Sequence, residues 1–246
     1  MTSKSLAGKK AVITGGNTRL SRAIAIEFAK LGADIVINYD SNQHDVENIV
    51  EEINKMGREV IAVQADLAIE EQVISLIKAA ENFTGGQIDI LINNTGTMFE
   101  KYTIEEMDLA LWKKVIDTNI TSTFLISKHV IPVMKTQKRG KIINISSFAG
   151  LTAMSRGSTA YYTFKAAVQA FTKCLAKELA ASGIFVNCIV SEAAISQFNK
   201  SIFPGREGTP EETAGAAIFL ATDLGDKVTG ETVEVNCGLF CINGNP

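Results

Sequence analysis

Short, almost wholly apolar runs alternate along this chain with longer stretches whose apolar residues recur at helical spacing. The runs Lys10 to Thr14, Ile35 to Asn38, Val60 to Gln64, Ile88 to Asn93, Lys141 to Ile145 and Ile184 to Val190 predict strands. Their continuous hydrophobicity, rather than an every-other-residue pattern, predicts parallel strands covered on both faces. Between them, Leu20 to Leu31, Asp45 to Met56, Glu70 to Asn82, Leu109 to Lys135, Tyr161 to Ser182 and Pro210 to Thr222 carry the spacing of amphipathic helices. This alternation predicts one α/β domain: a Rossmann-type, doubly wound parallel sheet with helices on both faces.

Punctuation agrees with the pattern. Gly32, Gly57 and Gly183 follow helical runs where a left-handed cap is wanted, and Thr209-Pro210-Glu211-Glu212 reads as an N-cap, a first-turn proline and two acids matched to the helix dipole. From Ser191 to Gly208 the periodicity lapses into a mixed polar and aromatic segment, expected to be a loop over the site.

Composition narrows the partners. With 246 residues and 46% hydrophobic content, the chain can bury a sizeable core. A formal net charge of -3 argues against nucleic acid or an anionic membrane surface, both of which need clustered positive charge. A small-molecule substrate fits better. Cys174, Cys188, Cys237 and Cys241 lack metal-ligand spacing and read as buried free thiols, and His44 and His129 stand apart, so no metal is expected. The polar start, Met1 to Lys10, contains neither a signal segment nor a membrane span, which points to the cytoplasm.

Candidate chemistry sits at the strand ends. Thr14-Gly15-Gly16-Asn17-Thr18-Arg19-Leu20-Ser21 lies between the first strand and first helix, where a glycine loop lets backbone amides approach a pyrophosphate. Gly15 keeps the tight turn, but Arg19 and Ser21 occupy positions normally held by glycine. Arg19 can compensate by donating to a phosphate, including an adenosine 2′-phosphate, or it can close the pocket, or it can be an ordinary solvated arginine. Tyr39 and Asp40 follow the second strand, and a carboxylate there accepts from ribose hydroxyls and repels a 2′-phosphate, so Asp40 leans to NAD unless it is only a turn acid. Asp66 and Asn93-Asn94-Thr95-Gly96 end the third and fourth strands, at the ligand-binding edge of such sheets. Farther on, Tyr161 and Lys165 stand one helical turn apart, and a nearby ammonium lowers a phenol's pKa from about 10 towards neutrality.

With Asn119 in an earlier helix and Ser147 closing a strand, the chain resembles the short-chain dehydrogenase/reductase family, nearest its 3-oxoacyl-acyl-carrier-protein reductase branch. The resemblance runs nearly end to end, through Thr14-Gly15, Asp66, Asn93 to Gly96, Asn119, Ser147, Tyr161-x-x-x-Lys165, Val186-Asn187 and Thr229-Gly230. It implies an NAD(P)(H)-dependent oxidoreductase that reversibly reduces a ketone or β-ketoacyl group, on a small or carrier-tethered substrate. Tyr161 would donate the proton, Ser147 would position the carbonyl, Lys165 would tune Tyr161 and hold the nicotinamide ribose, and Asn119 would anchor a water relay. Cofactor contacts would fall to Gly15, Asn17, Arg19, Leu20, Tyr39, Asp40, Asp66, Leu67, Asn93, Thr95, Gly96, Tyr161, Lys165 and Ser196.

Three departures gather on the cofactor side: the glycine loop, Ser191-Glu192 in place of a Pro-Gly pair, and Ser196 in place of a threonine. A short Gln197 to Pro204 segment implies an open site for a bulky or carrier-tethered substrate. These departures keep two alternatives in view, non-redox acid/base chemistry through Tyr161 and Lys165, or a non-catalytic binding subunit. Apolar surface on Trp112 to Lys135 and Tyr161 to Ser182, and on the tail Val233 to Ile242, predicts a homodimer or homotetramer.

Overall fold

A computed structural model describes residues 5–41, 43–96, 100–153, 155–191 and 208–236 of the chain. Its centre is a seven-stranded sheet of order β3-β2-β1-β4-β5-β6-β7. The strands are β1 (Lys10–Ile13), β2 (Asp34–Tyr39), β3 (Val60–Gln64), β4 (Ile90–Asn93), β5 (Gly140–Ser147), β6 (Ile184–Ser191) and β7 (Thr232–Val235), and all neighbours pair in parallel. The helices are α1 (Arg19–Lys30), α2 (Gln43–Lys55), α3 (Glu70–Thr84), α4 (Leu109–Ile116), α5 (Ser122–Gln137), α6 (Thr159–Leu179) and α7 (Pro210–Ala221).

The apolar runs dictate this arrangement. Val12 and Val36 point to one face, packed with α3, α5 and α6, while Ile13, Ile35 and Ile37 point to the other, packed with α1, α2 and α7. Every residue of β2 is buried, as a strand covered on both faces requires. Chain direction along the sheet reverses between β1 and β4, so a crevice opens beyond their carboxyl ends, where ligands enter doubly wound sheets.

Two expectations are corrected. The stretch from Leu109 to Lys135 is not one α-helix: α4 and α5 are joined by a π-helical turn, Asp117–Thr121, which carries Asn119. The turn inserts an extra residue without any proline or glycine to announce it. Val233, where the expected apolar tail begins, lies in β7, a short edge strand that the hydrophobic pattern did not predict. Its register is fixed by Asn187, whose side chain donates to Val228 O at 2.8 Å and accepts from Glu231 N at 3.1 Å. Thr229 Oγ1 accepts from Val186 N at 3.1 Å beside it, so the Val186-Asn187 and Thr229-Gly230 motifs are one splice between β6 and β7.

A third correction concerns the thiols: Cys188 is fully buried on β6, but Cys174 is exposed on α6. Cys237 and Cys241 lie outside the described residues. Among the described residues no helix is long and apolar enough to cross a membrane.

Candidate active site

The loop after β1 shows how two non-glycine residues are accommodated. Thr18 caps α1, its hydroxyl accepting from Ser21 N at 3.1 Å. Ser21 is fully buried, and its hydroxyl donates to Thr14 O at 2.7 Å while accepting from Asn94 Nδ2 at 2.8 Å. Asn94 Nδ2 also reaches Thr18 Oγ1 at 2.9 Å, and Asn94 N donates to Thr14 Oγ1 at 2.9 Å. The hydroxyl that departs from the glycine pattern is therefore a fastener between the first loop and the end of β4. Gly15, at φ +66°, lies so close that a Cβ would overlap the Asn94 carbonyl. Arg19 opens α1 with an exposed side chain.

An open cleft lies over the carboxyl ends of β1 to β4. Of the expected cofactor contacts, Gly15, Asn17, Asp40, Asp66, Leu67, Thr95 and Gly96 line it. Arg19, Leu20, Tyr39, Asn93, Tyr161 and Lys165 do not: Tyr39 and Asn93 are buried in the sheet and Lys165 is buried on α6. Ser196 lies outside the described residues. Asp40 is held at the rim by Asn17 Nδ2 at 3.3 Å and by Ser41 Oγ at 3.0 Å, both donating to its Oδ1.

Lining residues that the sequence reading did not name as contacts are Thr18 at the α1 cap, Asn38, Ala65, Ala68 and Asn94 at or just beyond strand ends, and Lys114, Thr118 and Ser122 from the α4–α5 region. Thr18 and Asn94 were within motifs already noted. Lys114, Thr118 and Ser122 share one side of a helical segment, and nothing in their types marks that side before it is packed.

The four catalytic candidates gather behind Thr95 and Gly96, which line the cleft, rather than lining it themselves. Lys165 and Asn119 are buried, and Gly96 separates them: a Cβ at Gly96 would overlap Asn119 Oδ1 and stand 2.9 Å from Lys165 Nζ. The π turn aims Asn119 inward, its Nδ2 donating to Val115 O at 3.0 Å. Lys165 Nζ donates to Thr95 O at 3.2 Å and Ile145 O at 3.4 Å, and lies 5.7 Å from the centroid of the Tyr161 ring. Ser147, at the end of β5, accepts from Ala149 N at 3.2 Å, which orients its hydroxyl.

The electrostatics differ from the expectation that Lys165 would depress the Tyr161 pKa. Burial pushes the Tyr161 phenol above its ordinary value, against a smaller opposing hydrogen bond from Ser147. The physical reason is that the ammonium is directed to two backbone carbonyls, and i,i+4 spacing brings it over the ring rather than to the phenol oxygen. Burial lowers Lys165 itself to about 8. The arrangement is a protonated phenol with a nearby cation whose charge is lost just above neutral pH.

Of the cofactor-side departures, Ser191 is described: it pairs with Ser147 across the sheet, and its hydroxyl shares a 3.0 Å hydrogen bond with Thr213 Oγ1, tying the end of β6 to α7. Glu192 and Gln197 to Pro204 lie outside the described residues.

A parallel sheet with a cleft at its switch point, and an Asn, Ser, Tyr and Lys set behind Thr95 and Gly96 at its edge, are the arrangement of a Rossmann-type oxidoreductase. The family model described as short chain dehydrogenase matches residues 9–207, and the chain belongs to that family. It is 36% identical to a 3-oxoacyl-(acyl-carrier-protein) reductase of Aquifex aeolicus, covering 96% of this chain and 98% of the relative. Another protein of that name, from Synechocystis, is 37% identical over 95% of this chain and 98% of its own length. Among solved structures, a short-chain type dehydrogenase/reductase from Mycobacterium marinum superposes with a TM-score of 0.91 at 28% identity, over 97% of this chain and 98% of that one.

Proposed function

We propose that the chain is an NAD(P)(H)-dependent carbonyl reductase acting on a ketone or β-ketoacyl group, reversibly, with Tyr161 as proton donor. The observation that carries this reading is the grouping of Asn119, Lys165, Tyr161 and Ser147 behind Thr95 and Gly96, two residues that line the cleft holding Gly15, Asn17, Asp40, Asp66 and Leu67. A reduced nicotinamide, when bound, supplies a hydride to the carbonyl carbon. Tyr161, kept protonated by burial, gives its proton to the carbonyl oxygen, and Ser147 donates a hydrogen bond that orients that oxygen. Lys165 contributes positive charge as the phenolate develops, and Asn119 fixes the polar surroundings of Lys165. The names of the relatives support a carrier-tethered β-ketoacyl substrate. A second copy of the chain is the partner we assign to α5 and α6, where Phe124, at 46% exposure, borders an apolar groove with Ile131, Phe171 and Leu175. We place the enzyme in the cytoplasm.

The fit to a dinucleotide is carried by the close-packed loop: Gly15 and Gly16 press against Asn94, Ile37 and Asn38, leaving the cleft side open. Asp40 at the ribose end favours NAD(H), because a 2′-phosphate would meet a carboxylate there. Calorimetric titration with NADH and NADPH tests this. NADH is expected to bind at least about tenfold more tightly, the equivalent of about 1.4 kcal/mol. Arg19→Gly is expected to change either affinity by less than about threefold, since a solvent-exposed charge outside the cleft is strongly screened. No binding by the wild type, restored in Arg19→Gly, would overturn the reductase reading in favour of non-redox chemistry or a binding subunit.

The pH profile follows from Lys165. Its folded-state pKa of about 8 means that the ammonium is present below that value and lost above it. The rate constant for carbonyl reduction is therefore expected to fall as pH rises through about 8, well before Tyr161 ionises. A rate that stays flat to pH 10 would separate Lys165 from the chemistry.

A further inference from the structure

Three successive residues at the end of β5 each bond to α6, at the two helical residues proposed for the reaction. Ile145 O accepts from Lys165 Nζ at 3.4 Å. Ser146 Oγ donates to Lys165 O at 2.8 Å. The Ser147 hydroxyl hydrogen-bonds the Tyr161 phenol. Lys165 is thus held twice by neighbouring residues of one strand, through its main-chain carbonyl by Ser146 and through its ammonium by Ile145. Of the three, Ser146 is the one whose side chain holds the helix by its backbone.

Ser146 is buried, so this bond is formed away from competing water. Tyr161, Lys165 and Gln169 stand four residues apart and share one face of α6. Gln169 Nε2 donates to Ser146 Oγ at 3.4 Å, which leaves the hydroxyl proton to Lys165 O. Gly150 closes over the same spot: a Cβ there would overlap Gln169 Nε2 and stand 2.8 Å from Lys165 O. The strand end and the helix therefore meet in one close-packed junction with the Ser146 hydroxyl at its centre. A second buried bond between β5 and α6, from Asn144 Nδ2 to Thr172 Oγ1 at 2.9 Å, lies about two turns beyond Lys165, on the side away from Tyr161.

We infer that Ser146 is a positioning residue: by fixing Lys165 O to the end of β5, it sets Tyr161 and Lys165 against Ser147. The inference rests on the carbonyl-reductase reading and adds to it a residue outside the four that carry the chemistry. Ser146 exchanges no proton in the reaction and touches neither substrate nor nicotinamide. Without its hydroxyl, Lys165 O retains only the main-chain bond of the helix, and nothing else at the junction resists a slide of α6 along β5. Such a slide carries the phenol and the ammonium together away from the Ser147 hydroxyl and from Ile145 O. Displacements near 1 Å at reacting groups cost about a hundredfold in rate, so a fraction of that distance is already measurable.

Wild type, Ser146→Ala and Thr172→Val are compared in the reduction of ethyl acetoacetate with NADH and with NADPH. Ser146→Ala is expected to lose roughly tenfold in kcat while KM for the ketone and affinity for the nicotinamide stay within about twofold, as when geometry fails only in the transition state. Thr172→Val removes the second β5 to α6 bond at nearly constant volume, and is expected to melt lower with kcat within about twofold of wild type. Ser146→Cys, a weaker donor of similar shape, replaces the alanine variant should that one not fold, with the same loss expected. An unchanged kcat in the Ser146 variant, a loss carried by KM, or an equal kcat loss in Thr172→Val would overturn the inference. A wild type that reduces nothing is failure of the reductase reading instead. Crystal structures of wild type and the Ser146 variant then decide on Ser146 alone: Lys165 Nζ withdrawn from Ile145 O in the variant supports its role, and an unmoved contact ends it.

Discussion

Tyr161→Phe is expected to lower kcat for carbonyl reduction by about a thousandfold, within the range general-acid catalysis supplies, while NADH affinity and melting temperature stay close to wild type. The phenol oxygen is the group at issue. Burial keeps it protonated through neutral pH, so it stands ready to give a proton when a hydride reaches the carbonyl carbon. Phenylalanine keeps the ring, its 6.4 Å edge contact with Tyr162 and the place of Lys165 over its face, and removes only that oxygen. Tyr162 is the control. It packs edge-on against Phe148 at 6.3 Å, and Tyr162→Phe is expected to leave kcat within about twofold, because no proton transfer is assigned to it. Comparable losses in both variants would mean that the pair matters for packing and that the acid lies elsewhere. A full loss in Tyr161→Phe with normal NADH binding would also set aside a purely binding role for the chain.

The sheet was legible in the sequence because β1, β2, β4, β5 and β6 are largely buried on both faces, which leaves continuous apolar runs such as Ile35 to Asn38, while β3, half-exposed, was legible from its residue types alone. The seventh was not, since Thr232–Val235 has four residues, one of them Glu234, and owes its place to the side chain of Asn187 rather than to its own pattern. The break in the helix from Leu109 onward was hidden for a similar reason. Apolar spacing continues through Asp117–Thr121, and a π turn leaves no mark in residue type. The candidate catalytic set was picked out by motif spacing, but spacing places side chains on a face without saying which atoms meet. Lys165 therefore proved to address the carbonyls of Thr95 and Ile145, and the Tyr161 pKa moves opposite to expectation. Ser21 shows the same limit from the other side. As a letter in a glycine pattern it is a defect, whereas its buried hydroxyl joins two loops.

Gly96→Ala is expected to add a methyl group that damages stability and activity together. The backbone at Gly96 has φ +112°, a conformation that side chains rarely adopt, and costs of order 1–3 kcal/mol attend forcing one there. The added Cβ would also overlap Asn119 Oδ1 and come within 2.9 Å of Lys165 Nζ, neither of which has room to retreat, as both are buried. Asn119 is anchored to Val115 O by its Nδ2, and Lys165 to the carbonyls of Thr95 and Ile145. Relief must therefore come from moving Asn119 and Lys165, the groups we propose for the reaction, and displacements near 1 Å at catalytic groups cost about a hundredfold in rate. The expected result is a fall in kcat of about a hundredfold or more together with a lowered melting temperature. Gly86→Ala separates the two causes. Gly86 has φ +81° but open space where a Cβ would go, so its variant carries the backbone penalty alone. It is expected to melt lower by a comparable amount while retaining wild-type kcat. Should Gly96→Ala behave like Gly86→Ala, with a stability loss and full activity, the tight packing of Asn119 and Lys165 about Gly96 would have no part in holding the site in its working geometry.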